Sequence, residues 1–225
     1  MTNRIALLSV TSLLAFAGLA SAQPKAYEIQ PAEGSRFELL VYKTGLMKGK
    51  VHTFLFPRYK ATLTYDAQAP ERSQVRLSIE TAPVQLTDTW LSAKDFQKVQ
   101  EFARKDMLNA ERYPSMTFDS SSVNAVAGGD FEVKGTLTIR NVGKPVMIRV
   151  RIEPRPNGTL RFTGESKIKL TDYGLKPPSA ALGTIGTRDE MDVKFILVAL
   201  PSQNFIDYSA GSTKRRRNSV TSYKH

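Results

Sequence analysis

The chain contains no cysteine. That absence removes disulfides, thiolate nucleophiles and cysteine-ligated metals, so the fold must rest on burial and strand pairing alone. Histidine is nearly absent too: His225 ends a basic tail, and His52 stands alone at the start of a strand-like run. One isolated histidine supplies neither a metal set nor a triad, and no nucleophile elbow accompanies it. Gly183-Thr184-Ile185-Gly186 lacks the strand-loop-helix setting of a phosphate loop. The sequence therefore predicts no catalytic residue, no metal and no cofactor.

Long apolar runs are missing after the first 22 residues. Within those, Arg4 gives a short positive start, Ile5 to Leu19 an apolar stretch, and Ala20-Ser21-Ala22 a small-x-small cleavage site. This is a secretory leader pattern, too short and wrongly flanked for a membrane span. No cysteine lies near the cleavage site to take a lipid anchor. The expectation is a periplasmic or secreted protein with a signal peptide at 1–22 and one domain at 23–202. Residues 203–225 form a tail rich in Ser, Lys, Arg and Asn, expected to be disordered. Part of the formal net charge of +11 sits there, on Lys214, Arg215, Arg216, Arg217 and Lys224. Such a tail suits an anionic membrane surface. Elsewhere bases and acids are interspersed, which predicts a solvated surface and no nucleic-acid partner.

Alternation is what the chain has in plenty. In "GTLTIRNVGKPVMIRV" (135–150), Leu137 and Ile139, then Val146, Ile148 and Val150, alternate with polar residues around a turn. Similar runs recur at Ala26–Gln30, Arg36–Thr44, His52–Asp66, Gln74–Thr81, Met116–Val123, Phe131–Arg140, Pro145–Glu153, Thr159–Thr171 and Glu190–Ala199. Hairpin turns are expected at Gly128-Gly129-Asp130, Asn141-Val142-Gly143-Lys144 and Pro156-Asn157-Gly158. Asn157-Gly158-Thr159 also fits a glycosylation acceptor, but reads better as the turn. One helical excursion is predicted over about 93–108, with Ser92 as N-cap and Phe96, Val99, Ala103 and Met107 on one stripe. Asp88 and Asp172 read as surface caps.

One helix cannot roof so many apolar strand faces. Phe37, Leu39 and Val41 need shelter, as do Leu77 with Ile79, and Phe131 with Val133 and Leu137. So do Val146, Ile148 and Val150 in the next run, and Phe162 with Ile168 beyond it. Two stacked sheets or one closed sheet would provide it. The long run Thr159–Thr171 suits a tilted barrel strand, and Gly135 and Gly164 sit where a closed sheet must bend. The pattern favours an all-β barrel, one closed antiparallel sheet of roughly eight strands with these thirteen residues on its inner face, and the stacked-sheet sandwich stays open as the alternative. Trp90, the only tryptophan, is either a core anchor where the helix docks or a lid at the cavity mouth, and it joins the expected lining.

Three segments carry a resemblance: "RYPSMTFDSSSV" (112–123), "FEVKGTLTIRNVGKPVMIRV" (131–150) and "IKLTDYGLKPPSAALGTIGTRDEMDVKFIL" (168–197). With the opening "YEIQPAEGSRFELLVYKTGLMKGKVHTF" (27–54), they resemble the YceI-like family of exported bacterial proteins from about Tyr27 to Ala199. The resemblance implies a lipocalin-like eight-stranded barrel holding a polyisoprenoid or quinone-like lipid, frequent homodimers and no enzymatic activity. Members with paired histidines in the second strand correspond here to Gly49-Lys50-Val51-His52, where Lys50 replaces the first histidine. The rival expectations are a lipid-acting enzyme using His52 and a structural barrel with a solid core.

Overall fold

In the computed structural model, which describes residues 24–202, the alternating runs pair antiparallel into one sheet that closes on itself. The leader and tail lie outside the described residues. The strands are β1 (Lys25–Ile29), β2 (Arg36–Gly45), β3 (Val51–Leu55), β4 (Tyr59–Tyr65), β5 (Gln74–Glu80) and β6 (Gln85–Leu86). They continue as β7 (Ser115–Ala125), β8 (Asp130–Ile139), β9 (Val142–Pro154), β10 (Leu160–Lys169), β11 (Ile185–Thr187) and β12 (Glu190–Pro201).

Neighbours run β1-β4-β5-β7-β8-β9-β10-β12, and β12 returns to β1 through Tyr27↔Pro201, Glu28↔Leu200 and Ile29↔Ala199. Eight strands thus form a closed antiparallel barrel. The stacked-sheet alternative is excluded by that last pairing. On its other side β12 has two partners in succession: β2 over Asp192–Ile196 and β1 over Ala199–Pro201. β2 thus continues the line of β1, and β3, paired with β2, continues that of β4, paired with β1.

Local chemistry explains the departures from the sequence expectation. The single run expected at His52–Asp66 is two strands, because Pro57 lacks an N–H and the backbone turns between Phe56 and Arg58. Phe56 still donates its N–H to the Phe37 carbonyl at 3.0 Å, keeping the bend in the sheet. The turn expected over 141–144 is tighter: Arg140 and Asn141 have φ of 50° and 64°, and pairing resumes at Ile139↔Val142. Two consecutive left-handed residues make the two-residue hairpin turn that matches strand twist. At Asn157, the side-chain oxygen accepts from Thr159 N and Oγ1 at 3.2 and 2.7 Å, an Asx-type turn.

The helix α1 (Ala93–Phe102) starts where Ser92 Oγ accepts from Asp95 N at 3.1 Å and donates to the Asp95 carboxylate at 2.7 Å. It runs on as a π-helical turn through Ala103–Met107. Gln100 fastens it to the barrel: its amide donates to Val84 O at 2.7 Å and accepts from Leu86 N at 2.6 Å. Arg140 at the β8–β9 turn donates to the carbonyls of Asp106 and Met107 at 3.3 Å. The helix therefore lies across one barrel end, beside the 46–50 and 170–189 loops. Short turns close the other end.

Candidate functional site

Inward residues follow from the pleat. On β9, Val146, Ile148, Val150 and Ile152 face in; on β8, Phe131, Val133, Leu137 and Ile139. The inward position between Val133 and Leu137 is Gly135, and that between Phe162 and Ser166 is Gly164. A Cβ at Gly135 would lie 2.4 Å from Asp119 O and 2.5 Å from the Phe118 ring, and one at Gly164 would lie 2.2 Å from the Phe195 ring. The two glycines make room for phenylalanines that cross from the neighbouring strand. Phe195 in turn stacks on Phe37 with ring centroids 5.8 Å apart and a 10° tilt.

Side chains do not fill the interior. A cavity of about 310 Å³ runs the length of the barrel, from Tyr65, Ser73 and Gln74 at one end to Leu175, Pro178 and Thr187 at the other. Thirteen of the residues expected from the sequence line it: Phe37, Leu39, Val41, Leu77, Ile79, Phe131, Val133, Leu137, Val146, Ile148, Val150, Phe162 and Ile168. The helix contributes Val99, Phe102, Ala103 and Met107.

Trp90 does not line the cavity, and its place there is corrected. Its indole stacks on the outer side of His52 at 5.1 Å and donates Nε1–H to Val51 O at 3.1 Å. Lys50 Nζ lies over the same ring at 5.5 Å. An indole needs a partner for its N–H, and a strand carbonyl outside the barrel provides one.

Sequence reasoning also missed Phe118 and Val123. The β7–β8 register shifts between Ser120 and Ser122, so the inward phase changes from Met116 and Phe118 to Val123. A bulge adds a residue without a composition signal. Asp88, expected as a surface cap, is buried: its carboxylate is 1% exposed and lies 2.5 Å from His52 Nδ1. Its second oxygen accepts Thr53 N–H at 2.9 Å. Their separation of 36 positions hid this pairing.

Polar atoms reach the cavity only sparsely. At the helix end, Lys43, His52 and Thr187 contribute; midway, Ser166; at the far end, Ser73 and Gln74. Ser166 Oγ donates to Met147 O at 2.8 Å, and Ser73 Oγ accepts Asp66 N–H at 3.2 Å, so both hydroxyls are engaged by the barrel itself. Burial pushes the Lys43 ammonium below its usual pKa. No three metal-capable side chains meet among the described residues.

Fold and site together define a closed β-barrel of lipocalin-like architecture with an apolar lumen and a sparsely polar mouth. The chain belongs to the YceI-like family, whose domain model matches residues 27–199. It is 28% identical over 126 residues to a UPF0312 protein of Azotobacter vinelandii, covering 54% of this chain and 62% of that one. A match of 32% over 126 residues joins it to Protein YceI of Escherichia coli, again over 54% and 62% of the two chains. The chain thus spans somewhat less than two thirds of the length of these relatives. Among solved structures it is similar to Burkholderia cenocepacia BcnA, with a TM-score of 0.60 and 23% identity over 74% of this chain and 96% of that one. The Campylobacter jejuni YceI protein gives a TM-score of 0.51 at 22% identity over 67% and 84%.

Proposed function

We propose that this protein is an exported carrier that holds one long-chain amphiphile, of the polyisoprenoid or quinone-like kind, in its barrel. The cavity carries the reading: about 310 Å³ of space walled by aliphatic and phenylalanine side chains from around the whole sheet. Such a lining offers dispersion and water exclusion but few fixed polar groups, which suits a hydrocarbon chain better than a sugar or nucleotide. Each CH₂ withdrawn from water contributes about 0.8 kcal/mol, so several isoprene units bind well without an ion pair. Export rests on the leader pattern at 1–22.

Native mass spectrometry of the mature protein, purified without detergent, is expected to find a species heavier than the bare chain by one lipid. Displacement of a fluorescent fatty-chain probe by prenyl lipids should give saturable uptake. Phe162→Asp should remove that uptake by placing a carboxylate on the lumen wall, and Leu77→Phe should shorten the longest chain accepted. A bare mass together with no uptake would overturn the carrier reading.

The buried His52–Asp88 pair favours a second reading, in which His52 acts as acid or base on a bound lipid. No side-chain hydroxyl among the described residues is hydrogen-bonded to His52, so the pair is not matched with a protein nucleophile. Wild-type protein and His52→Ala, each incubated with prenyl phosphates, should leave the substrate unchanged. Turnover by wild type alone would replace carriage with catalysis.

A further inference from the structure

We infer that Lys43, together with His52, forms a head-group subsite for an acidic oxyanion, a phosphomonoester or carboxylate, at the end of the long chain held in the barrel. The inference deepens the carrier reading and rests on it. Alternation on β2 places Phe37, Leu39, Val41 and then Lys43 on the lumen wall. An apolar residue would continue the wall at 43, and a lysine stands there instead.

Among the described residues Lys43 forms no ion pair with any carboxylate, whereas Lys98, Lys105, Lys134 and Lys167 each have one. It is the only lysine or arginine among the residues lining the barrel cavity. Its charge is partly desolvated without compensation, which is costly unless a counter-ion arrives.

His52 is a neighbour in the register, since Val41 faces His52 across β2 and β3. An ionised Asp88 carboxylate only accepts, so it fixes the proton on Nδ1 and leaves Nε2 as a further polar atom at this end, alongside Lys43 Nζ and the Thr187 hydroxyl. With the proton held on Nδ1, Nε2 accepts a hydrogen from a partly protonated acid. Lys43 Nζ donates to the anionic oxygen. A neutral alcohol or quinone satisfies only part of this set.

The test compares ligands of matched chain: farnesyl monophosphate, farnesoic acid and farnesol, by displacement of one fatty-chain probe. Wild type should prefer one or both acids over farnesol by about tenfold or more, the scale of a charge-assisted hydrogen bond in a partly dry site. Lys43→Met keeps the apolar stem and should erase that preference, bringing the affinity for the acids down to that for farnesol in the same variant. His52→Asn should weaken the monophosphate more than the carboxylate. Equal wild-type affinity for acids and alcohol, or an intact preference in Lys43→Met, overturns the subsite and leaves the carrier reading standing. No binding of any of the three removes the carrier reading itself.

A separate observation concerns the rim. Leu46 is 80% exposed and Leu182 fully so, and Ala180 and Ala181 beside it are also exposed. Pairing of Ile185 with Gly45, and Leu46 N–H to Thr184 O at 3.0 Å, join the two loops. The same two loops carry Lys48, Lys50, Lys176 and Arg188, all exposed; 43–50 contains no acid, and of the acids flanking 174–188, Asp172 is exposed and Asp189 is bonded to Thr171. Apolar tips on cation-bearing loops are complementary to an anionic bilayer surface, and we infer that this rim docks there, with the lumen mouth facing the lipid.

Co-sedimentation of the full mature chain should be strong with phosphatidylglycerol-containing vesicles and weak with phosphatidylcholine alone. Leu46→Ser with Leu182→Ser should reduce it severalfold without lowering the melting temperature. Binding unchanged in that double variant, or lost only when 203–225 is removed, overturns the rim assignment.

Discussion

Tyr173 sits in the turn after β10, 4% exposed, and its hydroxyl has no hydrogen-bond partner among the described residues. Burial, aided by the charge of Asp172, pushes its pKa up to about 12. An unfolded chain ionises this phenol near pH 10, whereas the folded chain resists until about 12. The stability it leaves intact is therefore full below pH 10 and is lost as pH rises between those values, at up to about 1.4 kcal/mol per pH unit. Denaturant midpoints measured from pH 8 to 11.5 should fall above pH 10. Tyr173→Phe should make that fall shallower and should be neutral or stabilising by up to about 1 kcal/mol at pH 7, since it removes a buried donor without a partner. A loss of more than 1 kcal/mol at neutral pH would show that the hydroxyl is satisfied after all.

At the scale of elements, the two inward glycines are not equivalent. The three atoms nearest a methyl group at Gly164 all belong to the Phe195 ring, a side chain rather than backbone. At Gly135 it meets the backbone oxygen of Asp119 at 2.4 Å as well as the Phe118 ring. Gly135→Ala should cost about 2 kcal/mol or more in chemical denaturation and exceed Gly164→Ala, because a backbone carbonyl in a sheet cannot step aside. Reading these glycines as bends from sequence located them on strands but missed their purpose, which depends on phenylalanines one strand away. The same limit applies elsewhere. Periodicity revealed all the long strands, and the cap at Ser92 was legible from one residue and its acidic partner. The bulge at Ser120–Ser122, the two-residue β6 and the three-residue β11 left no period to detect. Lining residues on β9 were readable because branched aliphatics alternate strictly with polar residues. Trp90 was not, because only the register of β3 shows that His52 comes between the indole and the lumen.

For the whole molecule, closure and emptiness act against each other. Wrapping eight strands into one sheet leaves no long edge to aggregate, and the β1–β12 seam achieves this with three residue pairs. The lumen inside forgoes the dispersion contacts that a packed core would make. A ligand that fills it should stabilise the folded chain by linkage alone, about 2.7 kcal/mol when free lipid exceeds its dissociation constant a hundredfold. Denaturation in urea with and without a bound prenyl lipid should therefore shift the midpoint upward at nearly constant slope, because the polypeptide surface exposed on unfolding hardly changes. Lys43→Met makes the shift diagnostic. Farnesyl monophosphate should stabilise wild type more than farnesol does, and in the variant that difference should vanish. A midpoint that no lipid moves would mean that the lumen closes up in solution, and the cavity would then have no role in binding.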